Sequence, residues 1–250
     1  MHSPGNERGS LWNRRLWNKL LPTRWLPRPI GTLLCRYSIP TTLTLLVNYL
    51  YNIADQIFVG QGVGITGMAA TNVAFPLTIV TIALALLLGD GCAANLNLCL
   101  GRGEQDQANR IISHTASLMV GVGILLGIAG SLLAKPIVIL FGATETSFQA
   151  ALDYTRIIAW GLPFLLFSSA LAAIIRADGN PKFTMKCMML GAGINLVLDP
   201  VFIFCLHMGV VGAAIATVLG QAVAGTLCLL HLRRLQSVRI ERRWLRPTCR

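Results

Sequence analysis

Charge is scarce in this chain. Charged side chains make up 12% of its 250 residues, against about 25% in a typical soluble protein. Too little polar surface is left for an ordinary water-soluble domain. Ordered cysteines are missing too. Cys35, Cys92, Cys99, Cys187, Cys205, Cys228 and Cys249 form no C-x-x-C pair, which excludes a sequence-evident zinc site or disulfide framework. No nucleophile stands beside a base at a catalytic spacing, and His114, His207 and His231 are isolated. A soluble enzyme is therefore excluded, and no cofactor is implied. Residues 1–29 lack the uninterrupted apolar stretch of a cleavable signal peptide. They read as a basic segment whose Trp12, Trp17 and Trp25 suit the membrane interface, or equally as a disordered basic tail.

Long apolar runs are what the chain has in abundance. Hydrophobic residues reach 54% and the mean hydropathy is +0.63. A membrane-spanning helix needs roughly 20 mostly apolar residues. Six such runs are expected, at about 37–60, 67–89, 109–133, 152–175, 183–205 and 210–232. The first is the weakest, being interrupted by Asn48, Tyr51, Asn52, Asp55 and Gln56. The connections are short. A small interfacial helix is expected within 134–151, and Asp178-Gly179-Asn180-Pro181 reads as a helix stop followed by a helix start.

The net charge of +11 raises nucleic acid as a partner, but its placement argues against one. The basic residues gather between Arg8 and Arg36 and again between Arg233 and Arg250. Lys and Arg flanking apolar spans mark the cytoplasmic side. Six spans place both termini on one side, so both are expected in the cytoplasm. Arg102, Arg110, Arg176, Lys182 and Lys186 then fall in inner loops, and Lys135 outside. The expectation is a multi-pass protein of the plasma (inner) membrane, with the lipid bilayer as its surroundings.

Two carboxylates stand out against this background. Asp55 and Asp199 lie inside apolar runs, where a charge costs at least about 2.5–3.5 kcal/mol and usually serves ions or protons. Asn195 precedes Asp199 by one helical turn, on the same face, and Pro200 follows directly. Asn48 and Asn52 lie within two turns of Asp55 and are expected to face one cavity with it. Thr217 comes from the last run, and Pro40 offers a bend in the first. Oxygen groups of this kind suit a hard cation or a shared proton. A structural alternative stands beside each: an Asp can pair with an Arg, and Asn48, Asn52 and Thr217 can be interhelical hydrogen bonds only. Arg156, near the start of the fourth run, is the one cation within a span that could approach them. Two carboxylates without basic partners must therefore share a cation or a proton.

These residues also carry a family likeness. Ser38-Ile39-Pro40 with Tyr51-Asn52-Ile53-Ala54-Asp55-Gln56-Ile57-Phe58-Val59-Gly60 resembles the first helix of the multidrug and toxic compound extrusion (MATE) transporters. Ala69 to Pro76 resembles their second helix. Gly89-Asp90-Gly91 and Leu100-Gly101-Arg102-Gly103 are similar to the cytoplasmic loop that follows. Ile194 to Pro200 and Gly212 to Thr217 resemble helices five and six. The likeness covers about residues 30–235.

The resemblance implies an all-α membrane fold, in which two six-helix lobes make a twelve-helix transporter. It implies export of small organic cations or drugs in exchange for H+ or Na+. It further implies a cation site at Asp55, Asn195, Asp199, Thr217 and Tyr154. Na+ there would be held by Asp55, Asn195, Asp199 and Thr217. Bending of the first helix at Pro40 would accompany protonation.

The expected organisation is a basic segment 1–36, a six-helix lobe 37–232 and a basic tail 233–250. The chain stops where the linker between lobes is expected. A fragment or truncated product is the leading expectation, beside a half that pairs with a copy of itself or with a separate second lobe. A lipid-linked saccharide flippase would need more cavity cations than the sequence provides. A non-transporting membrane fragment that binds partner helices is the remaining alternative.

Overall fold

The computed structural model describes residues 30–232. The tryptophans of the first segment, the basic tail and Cys249 lie outside them. The described chain is helical: α1 Ile30–Gly62, α2 Ile65–Arg102, α3 Gln105–Leu132, α4 Ala134–Leu140, α5 Phe148–Ala177, α6 Pro181–Pro200 and α7 Gly209–Leu232. A π-helical turn, Val201–Cys205, extends α6. Among the described residues, five helices are long and apolar enough to cross a membrane: α2, α3, α5, α6 with its π turn, and α7. The long α1 is set apart by the polar residues that interrupt its sequence. Exposed Leu46, Leu50, Ile53, Leu87 and Leu125 clothe the outside of the bundle. Apolar surface on that scale marks an interaction with lipid or another protein.

Local chemistry sets the helix ends. Gly103 adopts φ 75°. Its N–H reaches the Leu100 carbonyl at 3.2 Å and that of Glu104 reaches Cys99 at 2.9 Å. This paired closure uses a left-handed residue that glycine supplies without steric cost. Gly179 repeats it at the end of α5, with φ 88° and bonds from Gly179 to Arg176 and from Asn180 to Ile175. Pro181 then opens α6, where a missing N–H costs nothing. The expected stop–start at 178–181 is present, and α4 occupies the segment expected to hold a short helix.

One boundary differs from expectation. Gly89-Asp90-Gly91 is no loop; α2 continues through it to Arg102. Packing is the reason. A Cβ on Gly89 would lie 2.7 Å from both the Cα and the carbonyl oxygen of Ala170, so glycine lets α2 touch the backbone of α5. Asp90, next to it, meets Arg176 of α5 at 3.8 Å. Likewise α1 is already helical at Ile30, the first described residue and ahead of the expected start, and runs unbroken through the buried Pro40.

α5 is the most enclosed of the spans and packs against α2, α3 and α7. Two apolar clusters stack along the bundle. One, at the end carrying Asn180, holds Leu96, Ile112, Met119, Leu171 and Ile175. The other, at the end carrying Gly64, holds Val59, Val73, Ile158, Leu162 and Ile203.

Candidate functional site: a buried carboxylate pair beside an open cavity

α1 and α6 lie against each other, and each brings one carboxylate to the contact. Asp199 is fully buried and Asp55 is 8% exposed. Their carboxyl groups lie within interaction range of each other. Asn195 Nδ2 donates to Asp199 Oδ1 at 3.3 Å and, also at 3.3 Å, to the Thr217 hydroxyl on α7. The i, i+4 spacing of Asn195 and Asp199 makes the first bond local; the second requires the α6–α7 packing. On the other side, Gln56 Nε2 donates to Asp55 Oδ2 at 3.2 Å. The Thr71 hydroxyl of α2 shares its one proton between the Met68 carbonyl at 2.9 Å and Gln56 Oε1 at 3.2 Å. The phenols of Tyr51 and Tyr154 lie within electrostatic reach of Asp55, and that of Tyr154 within reach of Asp199.

Three buried acceptors of this site are left over. Asp55 Oδ1, Asp199 Oδ2 and Asn195 Oδ1 have no hydrogen-bond donor among the described residues. An unsatisfied buried acceptor costs about 1–3 kcal/mol, a cost that a bound proton or hard cation would relieve. Two unit charges 4 Å apart repel by about 4 kcal/mol at an effective dielectric constant of 20. The pair is therefore costly when both members are ionised and empty-handed. No group of three or more His, Cys, Asp or Glu positioned for a transition metal occurs among the described residues.

A cavity of about 530 Å³ opens beside this pair. Asn48, Tyr51 and Asn52 of α1, Arg176 of α5, Asn195 of α6 and Thr217 of α7 contribute to its wall. Asp55 does not, although the sequence places it with Asn48 and Asn52. The helix turns its carboxyl inward toward α6, while Asn52 faces outward and donates to the Asn48 carbonyl at 2.7 Å. Asn195 and Thr217 thus belong to both the carboxylate site and the cavity. Pro40 stands apart, about 22 Å along α1 from Asp55 at 1.5 Å per residue. Its carbonyl accepts from the Thr44 hydroxyl at 2.7 Å, and Thr41 and Thr44 line the cavity's far end. Arg156 is exposed on α5.

Tyr51, Gln56, Thr71 and Arg176 are site or cavity residues that the sequence reading did not assign. Tyr51 is signalled only by its place one turn before Asp55. Gln56 is adjacent in sequence, but neighbouring helix residues do not ordinarily face each other. Thr71 carries no local signal, because its role comes from the α1–α2 contact.

Long apolar helices around an open, largely apolar cavity with a few polar side chains in its wall are those of an integral membrane transport protein. The match of residues 40–201 to MatE fixes the group: the chain belongs to that family, whose members are transporters rather than enzymes. It is 32% identical over 207 residues to the FAD transporter of Shewanella oneidensis, covering 81% of this chain and 45% of that protein. It is 26% identical to the multidrug export protein MepA of Staphylococcus haemolyticus, covering 79% of this chain and 44% of that one. Among solved structures, the MATE multidrug transporter DinF-BH superimposes with a TM-score of 0.80 at 35% identity, covering 88% of this chain and 49% of that one. The chain spans about half the length of the curated relatives it matches.

Proposed function

We propose that residues 37–232 form one lobe of an ion-coupled exporter. It moves small organic cations or other amphipathic drugs across the plasma (inner) membrane in exchange for H+ or Na+. The carboxylate pair Asp55–Asp199, buried without a basic partner and tied through Asn195 to the cavity wall, carries this reading. A proton or Na+ entering between the carboxyls relieves their repulsion and draws α1 toward α6. Departure of the ion loosens that contact. Asn195, Thr217 and Tyr154 hold the ion-bound arrangement, and Pro40 lets the far half of α1 move with it. Asn48 and Asn52 then change their position in the cavity, which couples ion binding to substrate release. Alternating access needs one bundle to rock against another. A second six-helix lobe, or a copy of this one, supplies the opposing wall, with both termini in the cytoplasm.

Ethidium efflux from cells expressing this chain tests the reading, with Asp55→Asn as the comparison. Efflux that needs Asp55 is expected. Undiminished efflux by the Asn variant would sink the assignment.

Arg176 favours a second reading of the substrate. It is the cation in the cavity wall, and a relative 32% identical is described as an FAD transporter. A flavin nucleotide carries the negative charge that Arg176 would attract. Flavin nucleotide exported faster than ethidium, and slowed by Arg176→Gln, would select this reading over the cationic one.

A further inference from the structure

α6 and α7 touch backbone to backbone. A Cβ on Gly191 would lie 2.7 Å from the Gly220 carbonyl oxygen and 2.9 Å from the Cβ of Ala224. A Cβ on Gly220 would lie 2.7 Å from the Gly191 carbonyl oxygen. The helices run antiparallel, α6 leaving the Asn180 end of the bundle and α7 returning to it. One turn from Gly191 toward that end stands Cys187. One turn from Ala224 in the same direction stands Cys228. Both cysteines are buried, at 3% and 0% exposure, share one apolar cluster and lie within interaction range of each other. A disulfide needs Cα atoms about 4.4–6.8 Å apart, a separation that helices reach only where small residues let their backbones meet.

We propose that Cys187 and Cys228 form an oxidisable dithiol, which a hydroperoxide converts into a disulfide joining α6 to α7. One thiol, as thiolate, attacks a peroxide oxygen and becomes a sulfenic acid, and the rest of the peroxide leaves as water or an alcohol. The second thiolate attacks the sulfenic sulfur, the S–S bond forms, and the hydroxide released takes up a proton as water. Two thiols and one hydrogen peroxide thus give one disulfide and two waters. The sulfurs lose two electrons and the peroxide gains them.

The oxidant has a route. Thr184, Met188, Gly191 and Ala224, which flank the two cysteines along α6 and α7, line the 530 Å³ cavity. The pair therefore lies directly behind its wall. Cys92 and Cys99 have no such option with each other. They are seven residues apart on one helix, about 10 Å at 1.5 Å per residue, beyond disulfide reach. The new bond would fix the register of α6 against α7, the two helices that Asn195 and Thr217 also link.

The test uses the purified full chain in lipid nanodiscs, treated with hydrogen peroxide, then denatured and alkylated. Cleavage after methionine and arginine separates Cys187 from both Cys228 and Cys249, because Met188, Met208 and Arg239 intervene. The expected product is a monomer lighter by two hydrogen atoms, with the Cys187 and Cys228 peptides cross-linked and released by dithiothreitol. In Cys228→Ser, no cross-linked peptide containing Cys187 should form. Three outcomes overturn the proposal: both cysteines alkylated after oxidation, Cys187 bonded to another cysteine, or Cys187 as sulfinic acid beside a free Cys228.

Discussion

The amide of Asn195 lies 3.3 Å from the hydroxyl of Thr217 and joins α6 to α7 across the wall of the cavity. The same amide nitrogen donates to Asp199, so one side chain touches both the carboxylate pair and the cavity wall. Replacing it with alanine removes both bonds and leaves Asp199 without that donor. Such a loss costs about 1–3 kcal/mol. Asn195→Ala should unfold at lower temperature in a detergent melt and lose most ion-driven export. Thr217→Val, which removes only the second bond, should do less on both counts. Equal export by all three proteins would show that this link is structural only.

Removal of one negative charge should act in the opposite sense on stability. Asp55→Asn keeps the shape of the side chain but abolishes the repulsion with Asp199. Its thermal unfolding near neutral pH should be no lower than that of the parent, while ion-driven export disappears. A variant that lost both fold and export would leave Asp55 with a packing role.

Thr71 divides its hydroxyl proton between Gln56 and the Met68 carbonyl, and Gln56 donates to Asp55. Thr71→Val preserves the volume and removes the hydroxyl. The net cost of one hydrogen bond is about 0.5–1.5 kcal/mol, so the protein should fold with a modestly lower melting temperature. Export should fall and return in Thr71→Ser. Failure of serine to restore it would mean that the methyl contacts of Thr71 matter and its hydroxyl does not.

Gly89 and Gly91 flank Asp90 and make an internal control. A Cβ on Gly89 would strike Ala170 of α5, whereas one on Gly91 meets nothing within 4 Å. Overpacking costs about 1–3 kcal/mol, so Gly89→Ala should be clearly destabilised in a thermal melt. In Gly91→Ala the gain in helix propensity, up to about 1 kcal/mol, should leave stability equal or raised. Indistinguishable melts would contradict the close α2–α5 contact.

The elements that local chemistry determines were legible in the sequence. The apolar runs, the stop–start at Gly179–Pro181 and the shared face of Asn195 and Asp199 need only helix geometry and chain composition. What escaped was tertiary. Gly89-Asp90-Gly91 has the composition of a turn, yet it is a packing notch with an ion pair to Arg176. Asp55 shares a helix with Asn48 and Asn52 but is buried against α6 and does not line their cavity. Thr71 joins the site only once α1 and α2 are side by side.

The polar interruptions of α1 bear on the order in which this protein is made. As the chain emerges during synthesis, α1 is the segment a bilayer accepts least readily by itself. Asp199 is translated long after Asp55, so for most of that interval the first carboxylate waits without its neighbour. Thr71 and Gln56 fill the gap: α2 follows α1 after a short turn and brings the hydroxyl that steadies Gln56 against Asp55. The two helices are thus suited to enter the membrane together as a hairpin, with the rest of the site completed when α6 arrives.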